Sequence, residues 1–201
     1  MTRARPVPTT IGATEEPEGP LVDLAGVDAD SGEIEEARLT GVDFEGVKLR
    51  GLRMVDVEAE RVAAANGDWG GASLRRAVFR DARLTGLNLG EARLQDVRFE
   101  RCKLDYANFR HALIEHTSFE DCVLSGADFQ GSEIYATAFS GCRLDAADFS
   151  KAELAHVDLR GSELALAGSV LGLRGATVDS LQLMELSPLI AHELGIVVED
   201  A

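Results

Sequence analysis

The stretch LDYANFRHALIEHTSFEDCVLSGADFQGSEIYATAFSGCRLDAADF, residues 104–149, places a large apolar residue at every fifth position. Leu104, Phe109, Ile114, Phe119, Leu124, Phe129, Ile134, Phe139, Leu144 and Phe149 follow one another without a slip. An α-helix needs an apolar period of about 3.6 residues and a strand a period of about 2, and neither sustains a period of five. The step extends outward in both directions, from Leu24 to Leu164, and of its 29 positions only Ala29, Ala59 and Ala64 are small. Two residues before the large side chains small or modest residues dominate, as at Val42, Val47, Ala72, Ala107, Ala127 and Ala147. The intervening position is mostly polar, as at Asp43, Asn88, Asn108, Asp128 and Asp148, and glycine often follows, as at Gly46, Gly86, Gly126 and Gly131. Such a pattern fits a chain that turns a corner every five residues, with one large and one small side chain facing inward.

A longer period overlies the short one. Phe79, Phe99, Phe119 and Phe139 recur every 20 residues, and so do Phe109, Phe129 and Phe149, ten residues out of phase. Leu84, Leu104, Leu124 and Leu144 form a third column; Leu74, Leu94, Ile114, Ile134 and Leu154 form a fourth. Cys102, Cys122 and Cys142 repeat with the same interval. Four five-residue units therefore make one coil, and a constant set of side chains fills every cross-section. A single coil buries little, so the core must come from stacking. About seven coils at a spacing of about 4.8 Å predict a rod about 35 Å long.

The units Ala107-Asn108-Phe109-Arg110-His111, Ala127-Asp128-Phe129-Gln130-Gly131 and Ala147-Asp148-Phe149-Ser150-Lys151 resemble the pentapeptide-repeat family. The resemblance covers about residues 21–170. It implies an all-β fold, a right-handed, four-sided parallel β-helix, and no catalytic activity or cofactor. It also implies that a C-terminal helical module can form a dimer interface.

The ends depart from the repeat. Residues 1–20 hold four of the five prolines and are expected to be a disordered tail. The stretch from Val57 to Trp69 keeps register, but Ala59 and Ala64 predict a bulged or loosely packed coil. The register breaks between Ala165 and Leu171 and resumes out of phase at Leu173 and Val178. Residues 171–201 read as a helical cap: Asp179 caps one short helix, and Ser187-Pro188 starts a second. Its expected cap or dimer residues are Leu181, Met184, Leu189, Ile190 and Leu194.

Chemistry-bearing residues are few. The cysteines occupy the small inward position as buried hydrophobes, and a linear ladder does not converge on a metal ion. His111, His116 and His156 face outward without converging. No nucleophile, base and orienting group are visible together, nor a phosphate-binding loop. These features predict neither an enzyme nor a metal site. No apolar run is long enough to span a membrane. Three cysteines without a secretory leader predict a reducing cytoplasm.

Charge is the remaining signal. The formal net charge is −15, which disfavours direct binding of nucleic acid or anionic membrane and favours basic partners. The distribution is banded: residues 21–60 carry −7, 61–110 carry +4 and 111–170 carry −7. The sequence leads first to a protein-interaction scaffold whose partner it does not name. The alternative comes from the resemblance: some family members mimic DNA, bind DNA gyrase and confer quinolone resistance. In that case the outward acids Glu115, Glu120, Asp121, Asp145, Glu153, Asp158 and Glu163 would carry binding. The basic middle, including Arg75, Arg76, Arg83 and Arg93, would interrupt any continuous acidic stripe.

Overall fold

The structure is a computed structural model that describes residues 32–199. The proline-rich stretch 1–20, and the first units at Leu24 and Ala29, lie outside the described residues. Thirteen strands form a continuous parallel sheet that winds around itself. They are β1 (Glu33–Glu35), β2 (Arg38–Thr40), β3 (Arg53–Glu60), β4 (Ser73–Arg80), β5 (Arg93–Gln95), β6 (Arg98–Glu100), β7 (Leu113–Glu115), β8 (Ser118–Glu120), β9 (Glu133–Tyr135), β10 (Ala138–Ser140), β11 (Glu153–Ala155), β12 (Val157–Asp158) and β13 (Ala176–Thr177).

The register is 20 residues, as the long sequence period requires. On the first wall Glu33 pairs with Arg53, Leu74 with Leu94, Ile114 with Ile134, and Glu153 with Glu133. On the second wall Leu39 pairs with Ala59, and Phe99 and Phe139 each with Phe119. The third and fourth walls are joined by single-residue parallel bridges, such as Arg83 to Lys103 and Asn108 to Asp128. The rod is thus a parallel β-helix of about seven coils.

The backbone explains why the unit has five residues. All 26 corners from Glu36 to Gly161 place one residue at positive φ, and 17 of these are not glycine. A left-handed residue other than glycine costs about 1–2 kcal/mol, so the stacking must offset that cost repeatedly. It does so through hydrogen bonds along the axis: Leu104 N–H donates to Val123 O at 2.7 Å and Lys103 N–H to Ala82 O at 2.9 Å. Corners of the third and fourth walls add a turn bond, as from Val47 N–H to Phe44 O at 3.0 Å.

Inside, two phenylalanine columns stack. Ring centroids in Phe79, Phe99, Phe119 and Phe139 are 5.1, 5.0 and 4.7 Å apart in turn. Phe109, Phe129 and Phe149 stack at 4.8 and 4.7 Å and meet the first column edge-on, with Phe109 6.1 Å from Phe119. The cysteine ladder is buried, and the Cys102, Cys122 and Cys142 thiols donate to Phe79 O, Phe99 O and Phe119 O at 3.4, 3.4 and 3.3 Å. Ser162 takes the next rung and donates to Phe139 O at 3.1 Å.

The expected loose coil near Val57–Trp69 is not loose. Strand β3 enters it unbroken as far as Glu60, Ala63 and Asp68 keep the 20-residue register beyond, and Trp69 is fully buried, 5.9 Å from Phe44 and 6.4 Å from Phe79. The indole fills the volume that Ala59 and Ala64 leave. Its Nε1 finds no acceptor among the described residues.

At the C-terminal end the register slips by one residue. Asp148 bridges Ala167, and Val157–Asp158 pair with Ala176–Thr177, both with an offset of 19. This is the phase change seen at Leu173 and Val178. One helix follows, α1 (Ser180–Glu193), rather than two. Pro188 lies inside it and cannot donate to Met184 O, and the Ser187 hydroxyl takes that carbonyl instead at 2.7 Å. The local hydrogen bond satisfies the group that proline orphans, so the helix continues where the sequence suggested a break.

Candidate functional site

The outward residues of each coil are the candidate site, since the inward ones are spent on the core. The acids singled out in the sequence fall on three walls. Glu115 and Glu153 lie on the first, Glu120 and Asp158 on the second, and Asp145 and Glu163 on the third, with Asp121 at the corner between second and third. They do not form one stripe.

Many are engaged by cations. Arg98 lies 4.0 Å from Glu120, Arg143 lies 3.2 Å from Asp145 and 3.7 Å from Glu163, and Arg160 lies 2.6 Å from Asp158. The Arg160 guanidinium holds the Asp158 carboxyl below its ordinary value.

The basic middle of the chain is used the same way. On the second wall Arg38, Glu58, Arg80, Glu100, Arg98 and Glu120 form a chain of alternating sign across five coils, with Glu100 and Arg98 on one strand, at 3.3, 3.9, 3.1, 3.6 and 4.0 Å. At two corners a bidentate pair spans successive coils, Asp56 with Arg76 at 2.5 Å and Asp81 with Arg101 at 2.8 and 2.9 Å. The arginine hydrogen bond lowers the carboxyl pKa in both. Arg110 reaches Asp128 on the fourth wall at 2.8 Å. A period of 20 puts residues i and i+20 about 4.8 Å apart, so opposite charges at that interval become axial rungs. Such exposed pairs add little stability singly; their effect here is to neutralise the basic band.

The first wall differs in coils β7, β9 and β11. Its outward residues there are Leu113, Glu115, His116, Glu133, Tyr135, Ala136, Glu153, Ala155 and His156, with no lysine or arginine. Glu115, Glu133 and Glu153 have no ion-pair partner among the described residues. Tyr135 lies at the centre, 43% exposed, with its ring 5.6 Å from His116 and 5.5 Å from His156, both edge-on. The exposed histidines thus flank this tyrosine, while His111 lies over Gly131 at another corner. The sequence reading passed over Glu133 and Tyr135, although an outward tyrosine in a chain with only two was a visible signal.

Among the expected cap residues, Leu181, Met184 and Leu194 are exposed, and Leu189 and Ile190 are half-buried. The helix docks through buried Gln182 and Leu186, with Ile190 packed against the core beside them. Gln182 Nε2 donates to Leu159 O at 2.6 Å and Ser162 O at 2.7 Å, and its Oε1 accepts from Asp179 N–H at 2.8 Å. One buried side chain therefore supplies a partner to Ser162 O, adds a second donor to Leu159 O and completes the helix cap. Leu181, Leu183, Met184, Leu194, Ile196, Val197 and Val198 leave an apolar surface at this end.

No cluster of three metal-ligating side chains occurs among the described residues, and no helix there is long and apolar enough to cross a membrane. No curated protein sequence matches the chain significantly. Among solved structures, a trypsin-treated form of QnrB1, a plasmid-mediated fluoroquinolone resistance protein, is 21% identical, with a TM-score of 0.54 over 84% of this chain and 90% of that one. HetL, a pentapeptide repeat protein involved in heterocyst differentiation regulation from the cyanobacterium Nostoc sp. strain PCC 7120, is 15% identical over 73% of this chain and 91% of that one, with a TM-score of 0.34. A family model described as pentapeptide repeat region matches residues 60–129 and 92–167, more than half of the chain. With the corner every five residues and the coil every 20, that match makes the chain a member of the pentapeptide repeat family.

Proposed function

We propose that the protein is a non-catalytic, protein-binding scaffold of a reducing, cytoplasmic compartment. The observation that carries this reading is the placement of charge: the acids occupy three walls, and most arginines of the basic band are bound to acids of neighbouring coils. A mosaic of this kind offers a specific protein contact rather than a uniform field. Affinity capture with the tagged full chain, repeated with charge-reversal variants of each wall in turn, tests it. Retention of a protein whose recovery falls for one wall only supports the scaffold. Equal recovery with every variant overturns it.

A type II topoisomerase such as DNA gyrase is the second reading of the partner. The net charge of −15 favours it, and QnrB1, whose fold is similar, is a fluoroquinolone resistance protein. Supercoiling by gyrase would be followed as purified protein is titrated in, with and without a fluoroquinolone. Inhibition, or protection from drug-stabilised cleavage, supports this partner; no effect at large molar excess removes it.

We also propose that the C-terminal apolar surface pairs with a second copy. Seven exposed large apolar residues gathered on one terminal segment suit an interface. Light scattering should give a dimer mass that Met184→Glu reduces to a monomer; a monomer for the unaltered chain would exclude the pairing.

A further inference from the structure

The first wall between β7 and β11 forms a shallow groove, about 370 Å³ in volume, lined by Leu113, Glu115, Glu133, Tyr135, Glu153 and Ala155. Its composition is unlike the rest of the rod. Many acids elsewhere pair with arginines, several of them one coil away, whereas Glu115, Glu133 and Glu153 do not; the arginines of this wall, Arg53, Arg75, Arg76 and Arg93, lie on the coils before β7, and Lys151 stands at the corner that opens β11. Carboxylates engaged in no ion pair keep their attraction for an added cation, and the net charge of −15 reinforces it.

The aromatic ring adds geometry that charge alone lacks. His116 and His156, two coils apart, hold the Tyr135 ring from either side, and only the small Ala136 separates them at the corner. The ring is fixed yet 43% exposed, with Glu115 and Ala155 on the neighbouring strands. A guanidinium is planar, stacks on aromatic faces and bonds carboxylates bidentately, so it fits such a platform better than a compact ammonium. Leu113 and Ala155 supply apolar surface for its methylene stem.

Resting on the scaffold reading, we propose that this groove docks an arginine-bearing segment of a protein partner, with Tyr135 as the stacking platform and Glu115, Glu133 and Glu153 as the carboxylates that hold the guanidinium. The occupant is an extended basic segment, because the groove is shallow and runs across three coils.

The test uses the full chain and a fluorescein-labelled hexa-arginine peptide, read by fluorescence anisotropy at physiological salt. Glu133→Gln with Glu153→Gln should weaken binding about tenfold, and Tyr135→Ala at least about threefold, while Tyr135→Phe keeps most of it. A matched control, Asp43→Asn with Glu45→Gln on the third wall, removes the same charge and should leave affinity within about twofold. Hexa-lysine should bind at least about threefold more weakly than hexa-arginine. Equal losses in the wall and control variants would reduce the effect to net charge and overturn the proposal. Unchanged affinity in Tyr135→Ala would overturn it as well. Far-ultraviolet dichroism checks that each variant keeps its fold, and the glutamine pair alone carries the test if Tyr135→Ala does not. A captured partner that still binds the wall variants would leave the scaffold standing while this groove falls.

Discussion

The Tyr106 ring lies over Gly126, one coil further along the same corner. A Cβ placed on Gly126 would sit 2.6 Å from Tyr106 Cδ1, where no real Cβ contact occurs. Both residues have positive φ, 56° and 67°. The same relation joins Asn66 with Gly86, His111 with Gly131 and Asp121 with Gly141. At these corners glycine serves twice, accepting the left-handed backbone and giving the preceding coil's side chain a floor.

Gly126→Ala should therefore destabilise the rod more than Gly46→Ala. Gly46 has nearly the same φ, 66°, but open space around its Cβ position. The backbone contribution is about 1–2 kcal/mol in each, and Gly126→Ala adds the overlap with the ring. Urea denaturation of both variants measures the difference. Tyr106→Ala combined with Gly126→Ala should recover the excess, leaving the two alanine variants alike. Equal destabilisation by the two single substitutions would show that the ring moves aside freely.

Removing one phenylalanine from the longer column should cost far more. Phe119 is fully buried and stacked on both sides, and it also meets Phe109 edge-on. Phe119→Ala should lower stability by about 3–5 kcal/mol, since a tightly stacked coil cannot collapse onto the cavity. Phe119→Leu, which keeps most of the volume, should cost well under half of that. Chemical denaturation read by far-ultraviolet dichroism distinguishes them.

These relations show what the sequence made legible and why the rest was hidden. Columns such as Phe79 to Phe139 could be read directly because a 20-residue coil stacks identical chemistry on itself. The phase change at Leu173 was visible for the same reason, and the structure gives its size as one residue. The filling of the coil around Ala59 was not legible. Trp69 sits ten residues away in sequence but in the same cross-section, so volume is balanced across the rod rather than along the unit. The continuous helix was missed because Ser187-Pro188 usually marks a start; only the bond from Ser187 to Met184 O reverses that reading. Gln182 was hidden for another reason. A polar residue on a short helix gives no sign that its amide will meet two carbonyls of the last coil.

The cysteine ladder predicts unreactive thiols. All three are buried; the hydrogen bond with Cys102, together with burial, pushes the Cys122 thiol up to about 12, while the same bond lowers Cys102, whose protection rests on burial alone. The Cys142 thiol is pushed up as well, chiefly by its hydrogen bond with Cys122. Thiolate is the reactive form, so the native protein should release almost no thionitrobenzoate from Ellman's reagent near neutral pH. Unfolding in guanidinium should expose all three thiols. Rapid labelling of the folded protein would mean that the coils around Cys102–Cys142 open far below the global unfolding energy.

Gln182 makes the terminal cap the rod's testable end. Gln182→Ala removes the partner of Ser162 O and one of two donors to Leu159 O in a buried setting, which should cost about 1–3 kcal/mol. Gln182→Glu should be worse, because a carboxylate cannot donate to either carbonyl. Amide exchange should accelerate first in the final coil, around Ser162 and Ala176, rather than near Phe109. Uniform acceleration along the rod would show that the cap is coupled to every coil.

Asp179 adds a pH dependence to that same end. Its carboxylate accepts from Gln182 N–H at 3.0 Å, Leu181 N–H at 2.9 Å and Gly161 N–H at 3.2 Å, and these bonds hold its pKa below the usual 3.8. A depressed carboxyl stabilises the folded state fully above its ordinary value and loses that contribution as pH falls through the folded one. The last coil and α1 should therefore loosen first in acid, below about pH 4, while the uncharged phenylalanine columns do not respond directly. Amide exchange at Gly161, Leu181 and Gln182, followed from neutral pH downward and corrected for intrinsic rates, should show protection falling in that range. Asp179→Asn keeps an acceptor oxygen but cannot titrate, so its protection should be lower at neutral pH and flatter with acid. An equally steep loss in the asparagine variant would assign the transition to another carboxylate, with Asp158, which the Arg160 guanidinium holds below its ordinary value, the next to replace.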